Sequence, residues 1–138
     1  MTMLTKMRTA RGREGFTLVE LMIVMLIIGV LLAIAVPRYE RSIELAREAV
    51  LKEDLQTMRK AIDSYTMDKQ KGPQSLDDLV QAGYLKSIPV DPITRRSDTW
   101  MTAQDSAMYS LDQTDPGITD VHSGAQATAS DGSSYSQW

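Results

Sequence analysis

The chain has no cysteine and a single histidine, His122, among its 138 residues. Without a thiol it can form neither a disulfide nor a Cys-His nucleophile, and one imidazole cannot supply a His-rich metal centre. No glycine-rich phosphate loop is present. Asp77 and Asp78 are adjacent and point in different directions on a short helix, where they support its N-terminal dipole and form no catalytic pair. The composition therefore does not point to an enzyme. Aromatic residues are also few, at 6%, while apolar residues make up 43%. That total suits one modest domain, with part of it committed elsewhere than a core.

What the chain has is one long apolar run. From Phe16 to Val36 the only charged residue is Glu20. About 21 residues of helix at roughly 1.5 Å each reach about 30 Å, the thickness of a bilayer's hydrocarbon core. Lys6, Arg8, Arg11 and Arg13 precede it against one acidic residue, Glu14, leaving a net +3. Such a flank keeps the N-terminal side in the cytoplasm and places the remainder outside. Removing that +3 takes the formal charge from −3 to −6. An acidic exported portion does not suit a phosphate backbone, so no nucleic acid partner is expected.

Glu20 is the anomaly. A carboxylate near the bilayer interior costs a few kcal/mol even on lenient insertion scales, so it marks a functional position whose charge must be neutralised. A plain anchor explains the length and the basic flank but not Glu20. A cleavable signal peptide is the other alternative, because Ala33-Ile34-Ala35 offers a small-x-small site that would release a soluble chain beginning at Val36. Against it, the run exceeds the roughly 7 to 15 residues of a usual signal core.

The string GFTLVELMIVMLIIGVLLAIAVP resembles the N-terminal segment of type IV pilin-like proteins, through Gly15, Phe16, Thr17, Leu18, Glu20 and Pro37. The later segment GYLKSIPVDPITRRSDTW is similar to the heads of G-type (major) pseudopilins of type II secretion. The resemblance implies cleavage between Gly15 and Phe16 by a prepilin peptidase and methylation of the new amino group on Phe16. It also implies assembly into a homo-oligomeric helical filament. The subunit would wait as a single-pass protein of the inner membrane, in contact with lipid, its N-terminus cytoplasmic and its head periplasmic. Its further partners would be an assembly platform with a cytoplasmic ATPase, and minor pseudopilins. In such a filament Glu20 of one subunit faces the Phe16 ammonium of a neighbour, pairing two charges that are each costly alone. A type IV pilus subunit for adhesion, motility or DNA uptake is the alternative within the same family.

The expected divisions are a leader at 1–15, a membrane or filament-core helix at 16–37, its amphipathic continuation at 38–71 and a small head at 72–138. The expected fold is α+β and pilin-like, a long N-terminal helix packed on a small antiparallel sheet. Gly29 and Pro37 are weak points in the helix, since proline withholds an amide hydrogen and crowds the preceding turn. In the resembling family this stretch can lose helical order during assembly. Leu51, Leu55, Met58, Ile62 and Tyr65 follow the three-four spacing of a buried stripe. Glu48 and Lys52 read as an i, i+4 pair on a solvated face. Gly72-Pro73 stops the helix. Ser75 and Asp78 then cap a short helix that Gly83 closes.

Strands are expected at 99–103, 107–112 and 118–122, the last two joined by an Asp-Pro-Gly turn. Tyr135 and Trp138 would pin the polar C-terminal segment to the sheet. Without a disulfide, something else must hold that segment. No cofactor is required on this reading, but the resemblance brings in calcium, which orders this loop in major pseudopilins. Asp120, Ser123 and Asp131 are the candidate hard-oxygen ligands.

Overall fold

The computed structural model describes residues 15–106, 111 and 115–138, and the leader positions 1–14 lie outside them. It divides into two compact units, Met1–Tyr39 and Glu40–Trp138.

Helix α1, Leu18–Lys69, starts in the first unit. Its first turn is closed by a reciprocal cap: the Glu20 amide donates to Thr17 Oγ1 at 3.2 Å, and the Thr17 amide donates to Glu20 Oε2 at 2.9 Å. The pair satisfies amides that have no partner within a helix's first turn. Every described residue of this unit is exposed. Helix α1 is long and apolar enough to cross a membrane, with a mean hydropathy of 3.0 over an 18-residue window. The helix runs on through Pro37.

In the second unit α1 buries one face. Leu51, Leu55, Met58 and Ile62 are at most 2% exposed, in the spacing expected, and Tyr65 packs against them. Gln70 turns left-handed at φ 55°, which ends the helix just before Gly72 and Pro73. Helix α2, Leu76–Gln81, is capped as the sequence indicates. Ser75 Oγ accepts the Asp78 amide at 3.3 Å, and the Asp78 carboxylate accepts the Ser75 amide at 3.0 Å. Gly83 follows the C-cap Ala82 at φ +86°, a conformation that suits a residue without Cβ. Leu79 carries the buried face of α2.

Strand β1, Met101–Gln104, pairs antiparallel with β2, Ile118–His122. The β2 strand falls where expected, whereas β1 begins two residues later than the expected 99–103. Of the expected strand at 107–112 only Leu111 is described, and it lies in a turn. A register shift between Ala103 and Gln104 leaves Thr119 unopposed, so Ile118 and Val121 are both buried despite their three-residue spacing. The chain enters β2 through a close backbone crossing. A Cβ at Gly72 would lie 2.8 Å from the Gly117 Cα, and the Ile118 amide donates to the Pro73 carbonyl at 2.8 Å.

The core joins the α1 stripe to Leu79, Leu85, Trp100, Ile118, Val121, Ala125, Ala129 and Tyr135. The architecture is the expected α+β arrangement of a long N-terminal helix with a small antiparallel sheet.

Candidate processing and assembly site

Gly15 and Phe16 precede α1, and Phe16 is 92% exposed. Glu20 lies one turn on and is exposed, with one carboxylate oxygen on the Thr17 amide. A carboxylate offers about four acceptor positions, so this cap leaves capacity for a cation. Gly15, Phe16 and Glu20 thus occupy a single helix start, with the Thr-x-x-Glu cap written into the same motif. Gly29 and Pro37 lie farther along α1, and a Cβ at Gly29 would meet nothing within 4 Å. Here the helix presents apolar side chains on all sides and a single acidic group at its start.

A second group of charged residues sits on α1 in the head. Glu48 is only 5% exposed and takes three hydrogen bonds from the C-terminal segment. The Ser130 amide and hydroxyl each donate at 2.6 Å, and the Tyr135 hydroxyl donates at 2.9 Å. The Ser130 hydroxyl, against the cost of burial and helped by the Ser130 amide and Tyr135, holds the Glu48 carboxyl below its usual value. Burial, with the hydrogen bond to Glu48, pushes the Tyr135 hydroxyl up to about 12. The expected Glu48 and Lys52 pair on a solvated face is therefore corrected: Glu48 turns inward, and Lys52 Nζ lies 4.3 Å from the centre of the Trp138 ring.

Arg59 completes this face. Its Nε donates to Asp120 Oδ1 at 2.6 Å, and its Nη2 donates to the carbonyls of Val121 at 2.9 Å and Trp138 at 2.8 Å. His122 Nδ1 lies 2.6 Å from the same Trp138 carbonyl. Trp138 Nε1 donates to Ser133 Oγ at 2.7 Å, and its ring meets Tyr135 edge to face at 5.1 Å. Tyr135 and Trp138 pin the C-terminal segment to the sheet, through β2, and also to α1. Glu48 and Arg59 escaped the sequence reading because their partners are 61 to 87 residues away.

The candidate calcium ligands each have partners within the protein. Asp120 is paired with Arg59, and its Oδ1 also accepts the Val121 amide. Burial raises the Asp120 carboxyl, but the Val121 amide and Arg59 outweigh it and leave the group below its ordinary value. The Ser123 hydroxyl donates to the fully buried Asp91 at 2.5 Å and accepts the Ala125 amide at 3.2 Å. Asp91 Oδ1 also accepts the amides of Ile93 and Thr94. Asp131 folds onto Ser133, accepting both its amide and its hydroxyl. Among the described residues no group of three or more His, Cys, Asp or Glu side chains is placed to hold a metal ion.

Comparison with known proteins follows the same lines. Residues 10–36 match the model of the prokaryotic N-terminal methylation motif. Type II secretion system core protein G of Pseudomonas aeruginosa is 36% identical over 98 residues, covering 59% of this chain and 69% of that protein. The core protein G of Escherichia coli is 34% identical over 102 residues, 62% of this chain and 70% of that protein. Competence protein ComGC of Halalkalibacterium halodurans is 35% identical over 74 residues, 54% of this chain and 72% of that protein. No solved structure gives a significant match. The methylation motif at the helix start and the likeness that continues into the head together place this chain in the type IV pilin-like family, among the core G proteins of type II secretion.

Proposed function

We propose that the chain is the structural core subunit of a type II secretion pseudopilus. The observation that carries this reading is the 98-residue likeness to core protein G. Prepilin peptidase cuts between Gly15 and Phe16, and the new Phe16 amino group is methylated. Until assembly the apolar start of α1 holds the subunit in the inner membrane, with the basic leader in the cytoplasm and the head in the periplasm. Glu20 then pairs with the Phe16 ammonium of a neighbour, which fixes the register between subunits. An assembly platform with a cytoplasmic ATPase, together with minor pseudopilins, builds the filament that drives folded proteins outward. The role is mechanical and not catalytic.

The test is the N-terminal sequence and intact mass of the protein taken from its native membranes. A chain beginning at N-methylated Phe16 is expected. A start at Val36, or an uncut Met1, would overturn the filament mechanism. The likeness to a competence protein favours a second reading, a pilus subunit. Deleting the gene separates the two: loss of protein export supports the pseudopilus, and loss of surface filaments or DNA uptake with export intact supports the pilus.

A further inference from the structure

Calcium is the cation that the family implies for the C-terminal loop, and the donors in this chain do not suit it. A calcium site needs six to eight oxygens turned toward one point, usually with carboxylates whose charge is not otherwise met. Here the Asp120 carboxylate faces a guanidinium at 2.6 Å. The Ser123 oxygen both donates and accepts within the protein. Asp131 serves its own turn through Ser133.

The same loop is held by something else. Glu48, Lys52 and Arg59 lie at i, i+4 and i+11 on α1, along one face, and each engages the C-terminal segment differently. Glu48 accepts from Ser130 and Tyr135, Lys52 sits over the Trp138 ring, and Arg59 reaches Asp120 and the carbonyls of Val121 and Trp138. No side-chain nitrogen or oxygen buried among the described residues lacks a hydrogen-bond partner. Some of the loop's polar groups are met from the helix and the rest within the head itself.

We propose that α1 itself locks the C-terminal segment, through Glu48 and Arg59, and that the head folds and holds its shape independently of calcium. This does not depend on which filament the subunit enters. Hydrogen bonds to a buried carboxylate are among the stronger ones in proteins, and removing their acceptor leaves the Ser130 and Tyr135 donors poorly met. The guanidinium takes the place of the divalent ion beside Asp120.

The test uses the full chain in detergent micelles, with thermal unfolding followed by near-ultraviolet circular dichroism of its tryptophans. Melting is recorded in EGTA and in millimolar calcium chloride, for the wild type, Glu48→Gln and Tyr135→Phe. The wild-type Tm is expected to be the same in both solutions. Glu48→Gln should lower it by about 5 °C or more, equally with and without calcium. Tyr135→Phe keeps the ring and should give a smaller drop in the same direction. A folded-state ligand at a hundred times its Kd raises the Tm of a small domain by about 10 °C or more, so real calcium binding would be plain. A calcium-dependent rise in the wild type overturns the proposal. So does a Tyr135→Phe protein that melts as the wild type, which remains decisive should Glu48→Gln fail to fold.

Discussion

Residues 15–39 and residues 40–138 share helix α1 yet treat apolar surface in opposite ways. In the first unit every described side chain is exposed, with Leu31 at 61% and Ile28 at 45%. In the second, Leu51 and Met58 are at 0%. One helical backbone is thus written for two solvents. An all-round apolar helix needs lipid or neighbouring subunits, whereas a striped one finds its partner within its own chain. Charge follows the same division. Among the described residues the carboxylate at the exposed start, Glu20, has a local cap, and Glu48 is surrounded by three donors from its own chain.

The sharpest way to break this comparison is at Glu20. Replacing it with valine should abolish filaments seen by electron microscopy while the Tm of the full chain in detergent stays unchanged. A lowered Tm would mean that Glu20 also serves the subunit's own fold. Leucines sharpen the contrast next. Leu55→Ala, at a site 2% exposed, should cost the head about 2–5 kcal/mol in urea unfolding. Leu31→Ala should stay within about 0.5 kcal/mol in the same assay. At Gly117 any side chain meets the Gly72 backbone, which cannot swing aside as a side chain does. Gly117→Ala should therefore lower stability by about 2–3 kcal/mol in urea unfolding.

The smallest effect is the dependence on pH. The folded Glu48 carboxyl sits below its ordinary 4.5, so it releases its proton more readily than in the unfolded chain. Its contribution is complete above pH 4.5 and is lost as pH falls through the folded value. Tyr135 has the opposite sign: its folded pKa is raised from 10.0 to about 12, so its share is whole below pH 10 and is lost on the way to 12. The stability gap between wild type and Glu48→Gln should thus narrow in acid, as read from urea midpoints measured at stepped pH.

Local chemistry made much of this legible in advance. The Leu51 to Tyr65 stripe, the Ser75 and Asp78 cap and the Gly72-Pro73 stop are short-range patterns, and each acts within a few residues. The processing motif is equally local. Glu48 and Arg59 were not legible, because a charge on an amphipathic helix reads as solvated unless its distant partners are known. The joint burial of Ile118 and Val121 was hidden for another reason: a bulge breaks the two-residue alternation on which strand reading rests. Asp91 was missed as well, since a fully buried carboxylate in a tight turn looks in sequence like any other loop acid.

The Glu48 and Arg59 contacts also set an order in time. They join α1 to residues 61 to 87 positions farther along the chain, contacts of high sequence separation that form slowly. Until residues 130–138 are in place, the core lacks Tyr135, and Glu48 has none of its three donors. A partly folded chain therefore differs from a finished one by an open flank on α1. That flank closes only once Trp138 docks against Lys52 and Arg59.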